Sequence, residues 1–157
     1  MFKKNTKTKT SVSSILTEES YYPPNVFITY DALIKMKSYV MQHDKEIGWL
    51  GYVNYEPKEN TYTIYDVVLM KQNVSEVTTE LSESGLQEYA EKLISEGKLD
   101  ELNKVRCWGH SHVNMSTSPS AQDNTTFEEY YKTCDFFIRI IANKNEDLKL
   151  DIAIKSE

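Results

Sequence analysis

Two histidines one residue apart, His110 and His112, are followed by Ser120 and Asp123 in the pattern His-x-His-x7-Ser-x2-Asp. Two imidazoles and a carboxylate are the ligand set of a catalytic zinc, because three protein ligands leave a fourth position open for water. The chain has 3 histidines, and two of them fall in this pattern. Alternate residues of a strand share a face, so His110 and His112 can reach one ion while Ser111 points away. Residues three apart share a helix face, so Ser120 and Asp123, at the start of a helix, can both look back at the histidines. A metal site of this kind still needs a proton shuttle. Glu46, in Glu46-Ile47-Gly48-Trp49-Leu50-Gly51, is the candidate: a carboxylate beside the ion can take a proton from attacking water and return it to a leaving amine. Ser120 can hydrogen-bond the oxyanion that develops.

These residues resemble the motif of the JAMM (MPN-plus, JAB domain) zinc metalloproteases, an upstream Glu followed by His-x-His-x7-Ser-x2-Asp. Glu46, His110, His112, Ser120 and Asp123 each match one position, and the likeness covers roughly residues 26 to 154. The resemblance implies a metallopeptidase or isopeptidase with one Zn2+ per chain, held by His110, His112 and Asp123. Glu46 would be the general acid/base and Ser120 the oxyanion stabiliser. It also implies a single MPN/JAB domain with a mixed sheet flanked by helices, related in architecture to the cytidine deaminases, in a prokaryotic or phage-type member. The substrate would be a protein or peptide, a ubiquitin-like conjugate among the options. The alternative is a non-catalytic MPN-type scaffold that binds a partner protein; such scaffolds usually lack some of the ligands. A zinc deaminase would need His-x-Glu and Pro-Cys-x-x-Cys blocks, and neither occurs here. Cys107 has the wrong strand parity to join the histidines and reads as a core thiol, as does Cys134. His43 reads as a residue of a helix's last turn, favourable to its dipole. Trp49 and Trp108 read as core or pocket wall. Asn114 and Met115 lie in the loop between ligands, where substrate would pass.

A chain of 157 residues, 39% hydrophobic and 27% charged, has the composition of one globular domain. Its formal net charge is −6, although the first ten residues carry four lysines and no acid. The body of the chain is therefore more acidic still, which argues against a nucleic-acid partner. No apolar run is long enough for a membrane span, and the start lacks a signal-peptide core. Two cysteines without an export signal point to reduced thiols in a cytoplasm.

The elements that must position these residues follow from patterning. Residues 1–25 read as a flexible leader and 26–157 as the domain. Val26–Tyr30 reads as a strand, and Asp31 as the N-cap of a helix with Leu33, Met36, Val40 and Met41 inward. Residues 46–55 and 61–69 form a hairpin around Glu56–Asn60. Ser82 or Ser84 opens a second helix that stops near Gly97. The motif strand begins at Lys104, and a loop spans Val113–Thr117. Ser118 then caps a helix from Pro119 to about Lys132. Residues 135–143 and 148–154 close the fold as a hairpin. Together these predict an α/β (α+β) domain with a mostly hairpin-connected sheet and the site at the sheet's edge.

Overall fold

The computed structural model describes residues 2–3, 23–70 and 83–155. The elements run β1 (Phe2–Lys3), β2 (Asn25–Ile28), α1 (Tyr30–Gln42), β3 (Gly48–Glu56), β4 (Thr61–Leu69), α2 (Glu83–Ser95), α3 (Leu99–Leu102), β5 (Val105–Ser111), α4 (Ala121–Tyr131), β6 (Phe136–Ala142) and β7 (Leu148–Ile154). The strands form one mixed sheet in the order β1-β2-β4-β3-β5-β6-β7. Helices cover both faces of this mixed sheet, α1 on one and α4 on the other. Most of the expected leader lies outside the described residues, as does Ser82; Phe2 and Lys3 pair antiparallel with Ile28 and Phe27.

Hairpins join β3 to β4 and β6 to β7, but β2 pairs parallel with β4 and β5 parallel with β6. Parallel neighbours need a crossover, and α4 supplies it between β5 and β6. The site is therefore not at a sheet edge. It sits at the carboxyl end of β5, a central strand flanked by β3 and β6. In open sheets with parallel strands, ligands bind beyond the carboxyl ends of those strands.

One face of the sheet packs Val26, Ile28, Trp49, Ile64, Cys107, Ile138, Ile140 and Ile152 with Ala32, Met36 and Val40 of α1. These three α1 residues recur every four positions, one stripe of a helix. Met41, expected inside, is exposed. The helix begins two residues earlier than an Asp31 cap predicts: Thr29 is the N-cap, its Oγ1 accepting from the Ala32 N–H at 3.2 Å. Asp31 instead lies in the first turn, where a carboxylate complements the helix dipole. At the other end His43 is the C-cap and its Nδ1–H donates to the Tyr39 carbonyl at 2.7 Å. The opposite face packs Trp108, Phe127, Phe137 and Ala153, with Tyr130 and Tyr131 of α4 against them.

Gly109 is required where it stands. A Cβ there would meet the Trp49 indole nitrogen at 2.1 Å, so the missing side chain lets the indole lie across β5 beside the motif. Cys107 is fully buried on the α1 face, and burial pushes its thiol above the ordinary cysteine range. Cys134 is half-buried, and neither forms a disulfide. In native protein a maleimide is expected to label Cys134 first and Cys107 only on unfolding. Equal labelling rates under native conditions would contradict this placement of Cys107.

Candidate metal centre

β5 carries His110 to the end of the sheet, and His112 follows one residue past the strand. The chain then turns through Val113, whose φ of 58° is an outlier for a β-branched residue. Strain of this kind, on the order of 1–3 kcal/mol, persists only where the surroundings over-determine the backbone. Here they do. The Val113 N–H donates to Ser111 Oγ at 3.0 Å, and the Val113 carbonyl accepts from the Lys144 N–H at 2.6 Å. The buried Asn143 side chain donates to the Met115 carbonyl at 3.0 Å, tying the loop to the β6–β7 turn. The loop so held presents the Ser116 carbonyl to His112 Nδ1 at 2.7 Å.

That contact decides the histidine's tautomer. A carbonyl can only accept, so Nδ1 carries the proton and Nε2 of a neutral ring is a bare lone pair. Yet His112 Nε2 lies 3.0 Å from Asp123 Oδ2, with His110 Nε2 3.2 Å from Asp123 Oδ1. Neither nitrogen of the His110 ring has a hydrogen-bond partner, although the residue is 1% exposed. An orphaned buried imidazole is costly unless something satisfies it. A lone pair facing a carboxylate calls for a proton or a cation between them. Two donors on one tetrahedral zinc stand about 3.3 Å apart for bonds of about 2.0–2.1 Å, close to the separations seen here. Ligand atoms of His110, His112 and Asp123 all lie within 4.8 Å of one another, and among the described residues this is the one such group of three. The residues fit a divalent metal.

The electrostatics agree. Burial, with the charges of His112 and Arg139, lowers His110 to about 4 against the pull of Asp123, so the ring is neutral near pH 7. Burial opposes ionisation of Asp123, but His110 and hydrogen bonding from Ser120 together hold its carboxyl below the usual range. Neutral imidazole and ionised carboxylate are the metal-binding forms. The Trp108 ring stacks on His110 at 4.8 Å and 4°, fixing the imidazole plane.

Asp123 arrives on α4, where the structure corrects the expected cap. Ser120, not Ser118, is the N-cap, and α4 starts at Ala121 rather than Pro119. The Ser120 Oγ accepts from the Asp123 N–H at 3.0 Å, and the Ser120 N–H donates to Asp123 Oδ2 at 2.8 Å. This capping box satisfies two groups at the helix end, which the Ser118-Pro119 start would not. Its consequence for the site is that Asp123, at the third helical position, has its carboxylate bent back toward β5. The Ser120 hydroxyl still has its own proton to donate.

Glu46 lies just before β3, and not within it as expected. Gly48 pairs with His110, and the Ser111 N–H donates to the Ile47 carbonyl at 2.9 Å, so the pairing runs on past the strand. Extending that register by one residue sets Glu46 opposite His112, the side of the sheet shared by both histidines. Glu46 is half-buried there. Cys107 lies on the other face, in the core with α1, and is no ligand. Met115 is exposed in the loop beside the cluster. Sequence reasoning missed the buried Arg139 and Asp151 beside the site. An arginine in the otherwise apolar run Phe136–Ala142, facing an aspartate in β7, was the available signal.

No protein-family model matches the chain, and no curated protein matches it. Among solved structures, it is similar to the solution structure of protein DSY2949 from Desulfitobacterium hafniense, with a TM-score of 0.52 and 15% identity over 80% of each chain. At that identity the likeness is one of fold.

Proposed function

We propose that this protein is a zinc-dependent peptidase or isopeptidase of the JAMM type, hydrolysing a peptide or isopeptide amide bond in a protein or peptide substrate. The observation that carries this reading is the meeting of His112 Nε2, a buried His110 whose ring nitrogens make no hydrogen bond, and the Asp123 carboxylate around one point. The mixed sheet, with a helix between β5 and β6 delivering the carboxylate, supports an MPN/JAB architecture related to the cytidine deaminases. When bound, the ion supplies a Lewis acid and makes water a usable nucleophile near neutral pH.

The chain's own groups do the rest. Glu46, across from His112 by strand register, takes the proton of the attacking water and delivers it to the leaving nitrogen. Ser120 donates its hydroxyl hydrogen to the carbonyl oxygen as that oxygen gains charge. Trp108 and the pinned loop Val113–Ser116 keep the two imidazoles from turning away. Among the described residues no helix is long and apolar enough to cross a membrane. The free thiols of Cys107 and Cys134 support a cytoplasmic setting.

The test is turnover of C-terminal amide conjugates of ubiquitin-like proteins by the zinc-loaded protein, with and without chelator. Cleavage that chelation abolishes and zinc restores is the expected result. Metal uptake without cleavage of any conjugate or peptide tried would favour a partner-binding scaffold on the same fold.

A further inference from the structure

We propose that Asn124 and Arg139 are positioning residues for the metal centre: the guanidinium, locked by Asp151, holds the first turn of α4 so that Asp123 faces the two histidines. This rests on the metal-centre reading above and extends it to groups that touch neither ion nor substrate.

The capping box fixes the Asp123 carboxylate relative to its own helix. It does not fix that helix relative to β5, where the histidines are. A rotation of α4 by about 10° would move a side-chain tip about 5–6 Å from the axis by roughly 1 Å. Metal–ligand bonds tolerate about 0.2 Å. The helix therefore needs an anchor to the sheet within its first turn.

Arg139 is that anchor. It is 2% exposed in the middle of β6, paired in parallel register with Trp108 of β5, the residue stacked on His110. A buried guanidinium must place its donors. Asp151, directly across on β7, accepts from Nε at 3.2 Å and from Nη2 through the same oxygen. Nη1 remains, and it donates to Asn124 Oδ1 at 2.8 Å. The guanidinium carbon also lies 4.7 Å from the centre of the Phe127 ring, one turn further along α4. One side chain of the sheet thus grips α4 at positions 124 and 127, immediately after the ligand. Asp151 matters for charge as well as geometry, since it neutralises a cation that would otherwise sit unbalanced near a site for another.

Asn124 separates positioning from core stability, because it is an exposed residue outside the Arg139–Asp151 pair. Metal-stripped wild type, Asn124→Ala and Asn124→Asp are titrated with Zn2+ against a chromophoric chelator, and with Co2+ followed by its visible absorption. All are measured well below the onset of melting. Asn124→Ala is expected to fold, to bind Zn2+ about 10- to 100-fold more weakly, and to change the shape of the Co2+ bands. Asn124→Asp keeps an acceptor for Nη1 and is expected to restore the wild-type bands, which an added charge alone would not do. Folded Asn124→Ala with wild-type affinity and wild-type bands would overturn the positioning role and leave the metal-centre reading standing. A folded wild type that takes up neither ion would overturn both.

Discussion

Replacing Glu46 by Gln is expected to leave one zinc per chain in place while lowering turnover by roughly 10²- to 10⁴-fold, the usual cost of removing a general acid/base. The separation of the two readouts is the point. Glu46 enters from the chain before β3, whereas the ligand group consists of His110, His112 and Asp123, so the metal does not depend on it. The amide of Gln keeps the size of Glu but cannot accept a proton from water. KM should move little, because Glu46 is assigned to the movement of a proton and not to holding substrate. Asp123→Asn makes the contrast, since it removes a ligand charge and should lose metal and turnover together. A Glu46→Gln variant of unchanged kcat would reject the assignment of Glu46.

The second large effect is on stability. Asp151→Ala is expected to cost about 3–5 kcal/mol, because it leaves Arg139 buried with its charge uncompensated. For a domain of this size that corresponds to a fall in Tm of roughly 6–20 °C. The double replacement Arg139→Met with Asp151→Leu removes both charges and fills similar volume, so it should recover most of the loss. It cannot restore the bond to Asn124. A stable double variant with weakened metal binding is therefore the expected outcome, and thermal melts beside zinc titrations check both halves. A single Asp151→Ala variant as stable as wild type would show that the pair is not desolvated as described.

The local chemistry of the site was more legible in the sequence than its surroundings, for a physical reason. Metal ligation needs particular residue types at spacings set by strand and helix periods, and His110, His112 and Asp123 are spaced accordingly. Strand boundaries followed from alternation and apolar runs: β7 spans Leu148–Ile154 and β4 Thr61–Leu69, as patterning indicates. Caps were harder. Thr29 and Asp31, or Ser118 and Ser120, are all competent capping residues, and the choice depends on which side chain can close on which N–H in three dimensions. For α4 the reciprocal bond with Asp123 decided it. Pairing order was not readable from local pattern either. A parallel β5–β6 contact is a long-range fact: the helix between the two strands was legible, but not which strand β6 would lie beside. Met41 has the apolar character of a core residue and is nonetheless exposed, since the buried stripe of α1 runs through Ala32, Met36 and Val40. The Arg139–Asp151 pair went unseen because a charge in an apolar strand signals a partner without naming it.

Titrating the metal-stripped wild type with Zn2+ while following tryptophan emission and bound metal tests the central claim most directly. One equivalent per chain is predicted, with uptake lost in His110→Ala and in Asp123→Ala variants that remain folded. Uptake below a third of an equivalent by folded wild type, or full uptake by the His110→Ala variant, would contradict it.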